Sequence, residues 1–210
     1  MSNSLDAATI FGKALAEHLQ VVGQIEQQHA VLEAIALAMT VTLRAGGKIL
    51  WCGNGGSAAD AQHLAAELMG RFRRERRALP SVALTTDTSI LTAVANDYGY
   101  EAVFSRQVEA LGNPGDVLVG ISTSGNSSNV IAALKTARMQ GLVTVALTGA
   151  GGGKMAGFAD HLFAVESRDT ARIQEAHIFA GHMLCDWIEL DWLNSQAKAA
   201  EVAALAGVTR

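Results

Sequence analysis

The sequence predicts an α/β protein, a single domain built on a mainly parallel sheet with helices on both faces. Three observations predict it. Five short apolar runs bounded by turn residues recur along the chain, as strands buried on both faces do. Stretches with apolar residues at helical spacing separate them. No linker or composition break divides the 210 residues, a length suited to one sizeable domain.

Residues 5–44 carry apolar side chains at helical spacing, and "RAGGK" at 44–48 stops the pattern. These helices are more apolar than one sheet face needs, so their burial in a bundle between subunits is expected. "KILWCG" (48–53) reads as the first strand. "SVALTT" (81–86), "DVLVGIST" (116–123), "VTVALTG" (143–149) and "HLFAVES" (161–167) read as the others. Helices are expected at about 57–70, 88–96, 101–112 and 127–140, and a last long helix from near Thr170 past Trp187. The organisation expected is therefore helices over 1–44, one α/β domain over 45–195 and a helical tail over 196–210 to which no function is attached. Strands alternating with helices give a parallel sheet.

Half the residues are apolar and mean hydropathy is +0.22, enough for a large core and too much for disorder. With 21 glycines against two prolines, the glycines read as positional. A net charge of −4 gives no reason to expect nucleic acid as a partner. The one basic cluster, "RFRRERR" at 71–77, reads as a solvated turn or an anion-facing edge rather than a DNA patch. Cys52 and Cys185 lie in apolar surroundings without CxxC spacing and read as buried thiols in a reducing cytosol. The N-terminus has no basic start followed by an apolar run, so no signal peptide is expected. The longest charge-free apolar stretch, Ala34–Leu43, is too short for a bilayer. A soluble, cytoplasmic protein with no membrane partner is expected.

In open parallel sheets, ligands gather where strands end and helix N-termini present free N–H groups. Three such loops stand out: "GNGGS" (53–57), "TTDTS" (85–89) and "STSGNSSN" (122–129). In the third, Ser122, Thr123, Ser124 and Ser127 surround Gly125 as strand gives way to helix. A helix cap needs one serine; four hydroxyls in six positions suit a phosphate monoester held by neutral donors and a helix dipole. No G-x-x-x-x-G-K-[ST] is present, which disfavours a nucleoside triphosphate with magnesium. "GNGGSA" has Ala58 where the dinucleotide fingerprint needs its third glycine. His63 and Glu67 are four apart and share a helix face, where surface pairing is the commoner arrangement. "RIQEAHIFAGHML" supplies Gln174, Glu175, His177 and His182, among which a core histidine is the ordinary case. Gln174 and His182 stand two turns apart, about 12 Å along a helix axis. Taken alone, neither set identifies a metal site.

The ordered set "CGNGGSAADAQHLAAEL", "ALTTDTSILTAVANDYGY", "GDVLVGISTSGNSSNVI", "LTGAGGGKMAG" and "RIQEAHIFAGHML" resembles the sugar isomerase (SIS) family over about residues 45–190. The likeness is greatest to its branch that acts on a seven-carbon sugar phosphate. The resemblance implies a five-stranded sheet of flavodoxin-like order, a homotetramer and active sites between subunits. It also implies conversion of sedoheptulose 7-phosphate to the aldose through an enediol, at the start of lipopolysaccharide heptose synthesis. Carried over by position, Asn54, Gly55, Gly56, Asn96, Asp97, Ser122, Thr123, Ser124 and Ser127 would contact the sugar phosphate. His63, Glu67, Gln174 and His182 would bind zinc, with Glu67 and Gln174 also at the sugar and Arg71 near the site. Glu67 is then the expected base and His182 the proton donor. A carboxylate bound to zinc is a poorer base, so the ion would loosen from Glu67 or act by polarising oxygens. A non-catalytic branch of the family binds the replication initiator, and "LTTDTSILTAVAND" and "LCDWIE" are also like it. That branch lacks the equivalents of Glu67 and His182, and their presence here favours the enzyme.

Overall fold

The computed structural model describes residues 6–205. It opens with α1 (Ala7–Gly23) and α2 (His29–Arg44), joined by a 3-10 turn at Gln24–Gln28. There follow β1 (Ile49–Gly53), α3 (Gly56–Met69), β2 (Ser81–Ala83), α4 (Thr88–Tyr98) and α5 (Ser105–Leu111). The chain continues through β3 (Val117–Ser122), α6 (Ser128–Met139), β4 (Val143–Thr148), β5 (His161–Ala164) and α7 (Thr170–Leu205).

The five strands are parallel throughout, in the order β2-β1-β3-β4-β5. This is the flavodoxin-like order, with its switch point between β1 and β3. All residues of β1 and β3 are buried, so the continuous apolar runs do mark strands covered on both faces. The two-residue period divides them. Ile49, Trp51, Val117, Val119 and Ile121 join the core beneath α2, α3 and α7, with Met39, Leu64, Leu68 and Ile188. Leu50, Cys52 and Leu118 join a second core beneath α5 and α6, with Val108, Leu134 and Met155.

β5 ends at Ala164, three residues short of the expected run, and two further details depart from the sequence expectation. β2 is three residues long rather than six, because Thr85 and Thr86 turn toward Asp87, whose carboxylate caps α4 by accepting from the Ile90 N–H at 2.9 Å. The helix expected from residue 101 begins at Ser105. Gly99, at φ +87°, ends α4, and a 3-10 turn fills Tyr100–Ala102. The tail continues α7 to Leu205; residues 1–5 and 206–210 of the expected terminal segments lie outside the described residues. Cys52 and Cys185 are free and buried, and burial pushes both thiols up to about 12. They are inert packing groups.

Candidate active site

A cleft of about 310 Å³ opens at the switch point, between the loops that leave β1 and β3. Asn54, Gly55, Gly56 and Ser57 form one wall; Ser122, Thr123, Ser124 and Ser127 form the other; Thr170 and Gln174 of α7 close it. Two of the three loops singled out in the sequence meet here. The third, at 85–89, caps α4 instead.

Gly55 makes the turn into α3 at φ +56°, a conformation that favours glycine. Gly56 has no room for a side chain, since a Cβ there would lie 2.5 Å from the Gln174 Nε2. That vacancy is what lets the α7 amide lie over the loop. Asn54 is held by a reciprocal amide pair with buried Asn129, 2.8 Å in each direction, and accepts from the Tyr100 hydroxyl at 3.2 Å. Across the cleft, the Ser122 and Ser127 hydroxyls lie 2.8 Å apart, and those of Ser122 and Ser124 lie 3.3 Å apart. Ser127 is the N-cap residue of α6, yet its side chain makes no capping bond. The serines are therefore not spent on the helix. Their hydroxyls and the α6 N-terminus face the space an anion would fill.

α3 and α7 pack so closely that a Cβ on Gly181 would meet Leu64 Cδ1 at 2.6 Å. That approach brings together side chains 119 positions apart in sequence. The Nε2 atoms of His63 and His182 are 2.9 Å apart, and the His63 Nε2 lies 3.3 Å from Glu67 Oε1. One ligand atom from each of the three residues lies within 4.8 Å of the others. Burial lowers the His182 pKa below the usual imidazole value, His63 and Arg73 lower it further, and Glu67 opposes them. A neutral imidazole keeps the lone pair that a metal requires. Two imidazoles and a carboxylate are a donor set that fits zinc.

Gln174, expected both at the metal and at the sugar, lines the cleft against Gly56. Asn96 and Asp97 sit at the exposed end of α4, bonded to each other at 2.8 Å, and do not line the cleft. Arg71 is exposed, with its Nε 3.8 Å from Glu75.

The basic cluster is solvated at Arg71, Arg73 and Arg77, as expected, but not throughout. Arg73 and Arg74 pair with Asp186, and the Arg76 side chain is fully buried against Glu189 on α7. Neither Arg76 nor Glu189 was singled out from the sequence, where a run of arginines reads as surface. Asp60 was also missed. It precedes His63 by one helical turn, and burial raises its carboxyl to about 6 against the opposing pull of His63.

His177 is a core residue, as expected of a histidine within an apolar helix. It is fully buried, and its Nε2–H donates to the Thr148 carbonyl at 3.0 Å. Burial holds its pKa down at about 4, with the Thr148 bond opposing. The unfolded chain therefore binds a proton near the ordinary value of about 6.5, and the folded one does not until near pH 4. Stability should fall as pH drops through that window, by up to roughly 3 kcal/mol. Urea midpoints at pH 7 and 4.5 should separate more widely for the wild type than for His177→Gln. Equal separations would remove His177 as the source.

Residues 13–149 match the family pattern described as the SIS domain. A phosphoheptose isomerase of Roseiflexus sp. (strain RS-1) is 60% identical over 165 residues, 79% of this chain and 84% of that one. One from Paramagnetospirillum magneticum (strain AMB-1) is 56% identical over 185 residues, 87% of this chain and 95% of that one. The solved structure of a phosphoheptose isomerase from Neisseria gonorrhoeae superposes with a TM-score of 0.83 at 49% identity, over 88% of this chain and 99% of that one.

Proposed function

From the premise that the chain belongs to the SIS domain family, we infer that it is an aldose–ketose isomerase acting on sedoheptulose 7-phosphate. The product we propose is D-glycero-D-manno-heptose 7-phosphate, which enters lipopolysaccharide heptose synthesis. The observation that carries the reading is the meeting of His63, Glu67 and His182 on helices that begin at a serine-lined cleft. Along α3 and α7 the two histidines of the triad lie about 10–12 Å beyond Gly56 and Gln174, with Glu67 one turn further along α3. An extended seven-carbon chain with phosphate at one end and a carbonyl at the other suits that separation.

Ser122, Thr123, Ser124 and Ser127 are proposed to hold the phosphate, and Asn54, Gly55 and Gly56 the sugar. Glu67 takes a proton from C1 and returns it to C2 of the enediol. His182 moves the proton between the O1 and O2 oxygens, both within one hydrogen-bonded assembly. His63, Glu67 and His182 would hold a zinc ion, which when bound polarises the sugar oxygens as a Lewis acid. Of the two roles proposed for Gln174, the geometry favours the sugar, because its amide lies over Gly56. Asn96 and Asp97 are proposed to reach substrate from the α4 end in the assembled oligomer. The initiator-binding alternative is not supported, since Glu67 and His182 are both present and converge.

The purified protein, incubated with sedoheptulose 7-phosphate in deuterated water, should yield an aldose phosphate carrying deuterium at C2. No aldose at any enzyme concentration, with zinc supplied, would sink the enzymatic reading.

A homotetramer is proposed on the exposed apolar stripe of α1, where Phe11, Leu15 and Leu19 recur every four residues and are 71%, 59% and 62% exposed. Trp187 on α7 and Val41 on α2 are also exposed apolar side chains. Light scattering at micromolar concentration should give about four times the 22.0 kDa chain mass. A monomer would count against the bundle. A cytoplasmic location is proposed for an enzyme with two buried reduced thiols, to be checked by cell fractionation. No helix among the described residues is long and apolar enough to cross a membrane.

A further inference from the structure

Glu189 lies on α7 two turns beyond His182, with its side chain fully buried. Its Oε1 accepts from the Phe72 N–H at 2.7 Å, and its Oε2 accepts from the Arg73 and Arg74 N–H groups at 2.9 and 3.0 Å. Arg76 Nη2 lies 3.4 Å from the same carboxylate. The Arg76 guanidinium also donates to the carbonyls of Glu67 at 2.8 Å, Gly70 at 2.9 Å and Arg77 at 3.0 Å. A buried carboxylate with three backbone amides and a guanidinium is fully partnered, and its bonds are charge-assisted.

Stability alone is a weak reason for such a cluster, since a buried ion pair gains little over apolar packing of the same volume. What it supplies is position. The amides that Glu189 grips begin with that of Phe72, whose ring lies on the His182 imidazole with centroids 5.3 Å apart and planes 20° apart. The carbonyls that Arg76 caps include that of Glu67. One carboxylate thus ties the α7 helix that carries His182 to the end of the α3 helix that carries His63 and Glu67.

We propose that Glu189 is a positioning residue for the isomerase, setting Phe72 against His182 and, through Arg76, fixing the end of α3 at Glu67. The proposal rests on the reading of Glu67 and His182 given above. Neither Glu189 nor Phe72 needs to touch substrate. Partners that orient a metal-binding histidine from outside commonly change metal affinity or rate by roughly 10–100-fold.

The test uses the full-length protein, with zinc alone as the probe in competition with a chromophoric chelator, alongside steady-state kinetics. Phe72→Leu keeps apolar bulk but loses the flat ring. It should weaken zinc binding and lower kcat, each about tenfold, with KM unchanged. Phe72→Tyr keeps the ring and should restore both. Glu189→Gln turns an amide NH2 toward backbone donors and should do at least as much damage as Phe72→Leu, with the oligomer intact. If Glu189→Gln does not fold, the Phe72 pair decides. Wild-type zinc affinity and kcat in Phe72→Leu, failure of Phe72→Tyr to rescue, or absence of zinc binding by the wild type would each overturn the proposal. Absence of turnover by a wild type that binds zinc would overturn the isomerase reading instead, while the zinc arm still decides the positioning role.

Discussion

Glu67→Gln is expected to lower kcat by roughly 10²–10⁴-fold, the range for loss of a general base. The amide keeps the side chain's size and one oxygen that can face His63, now 3.3 Å from Glu67 Oε1. It cannot accept a proton from carbon at neutral pH. Nothing that holds the α3 end to α7 passes through the Glu67 side chain, since Arg76 binds its backbone carbonyl. Substrate affinity and the oligomer should therefore survive, and the loss should fall on kcat alone. His177→Ala is the matched control. Its imidazole contacts the Thr148 carbonyl in the core, so the variant should lose stability and keep most of its kcat. Should Glu67→Gln turn over near the wild-type rate while His177→Ala is inactive, the catalytic face of α7 has been misassigned.

His182→Ala should cost as much in rate as Glu67→Gln and should also release zinc. The imidazole is one of the three His and Glu donors that converge among the described residues, so its removal leaves His63 and Glu67 of that cluster. Two ligands do not hold zinc in an open catalytic site, which takes three from the protein. Dialysis against a mild chelator followed by metal analysis should leave His182→Ala empty and Glu67→Gln only partly depleted. Saturating zinc separates the two roles. A return of kcat to the wild-type value under saturation would show that His182 serves the metal and not proton transfer.

The strands were legible because parallel β-structure buried on both faces leaves a plain trace, as in "KILWCG" and "DVLVGIST". The length of β2 was not, because Thr85 and Thr86 have strand-forming side chains and it is the Asp87 cap that diverts them. The hydroxyl density of the serine loop was plain in the sequence, and those residues do line one wall of the cleft. His63 and Glu67 could be seen as neighbours on a helix, but their meeting with His182 depends on the crossing of α3 and α7 at Gly181, which no local spacing reveals. Arg76 was misread for the same reason. A charge run carries no mark of which member has a buried carboxylate waiting 113 residues later on another helix.

α7 carries Gln174, His182 and Glu189 on one unbroken helix from Thr170 to Leu205. Each added or deleted residue within such a rod rotates everything beyond it by about 100° and slides it about 1.5 Å. A single-residue insertion between Gln174 and His182 would leave every functional side chain present and chemically unchanged. It would nevertheless swing the His182 imidazole and the Glu189 carboxylate together off the α3 face, while Gln174 stayed at the cleft. The site is thus far more exposed to changes of length in this segment than to most changes of residue type. Viable natural variation in the stretch from 174 to 189 should be almost wholly substitutional, with insertions and deletions displaced to the loops before Thr170.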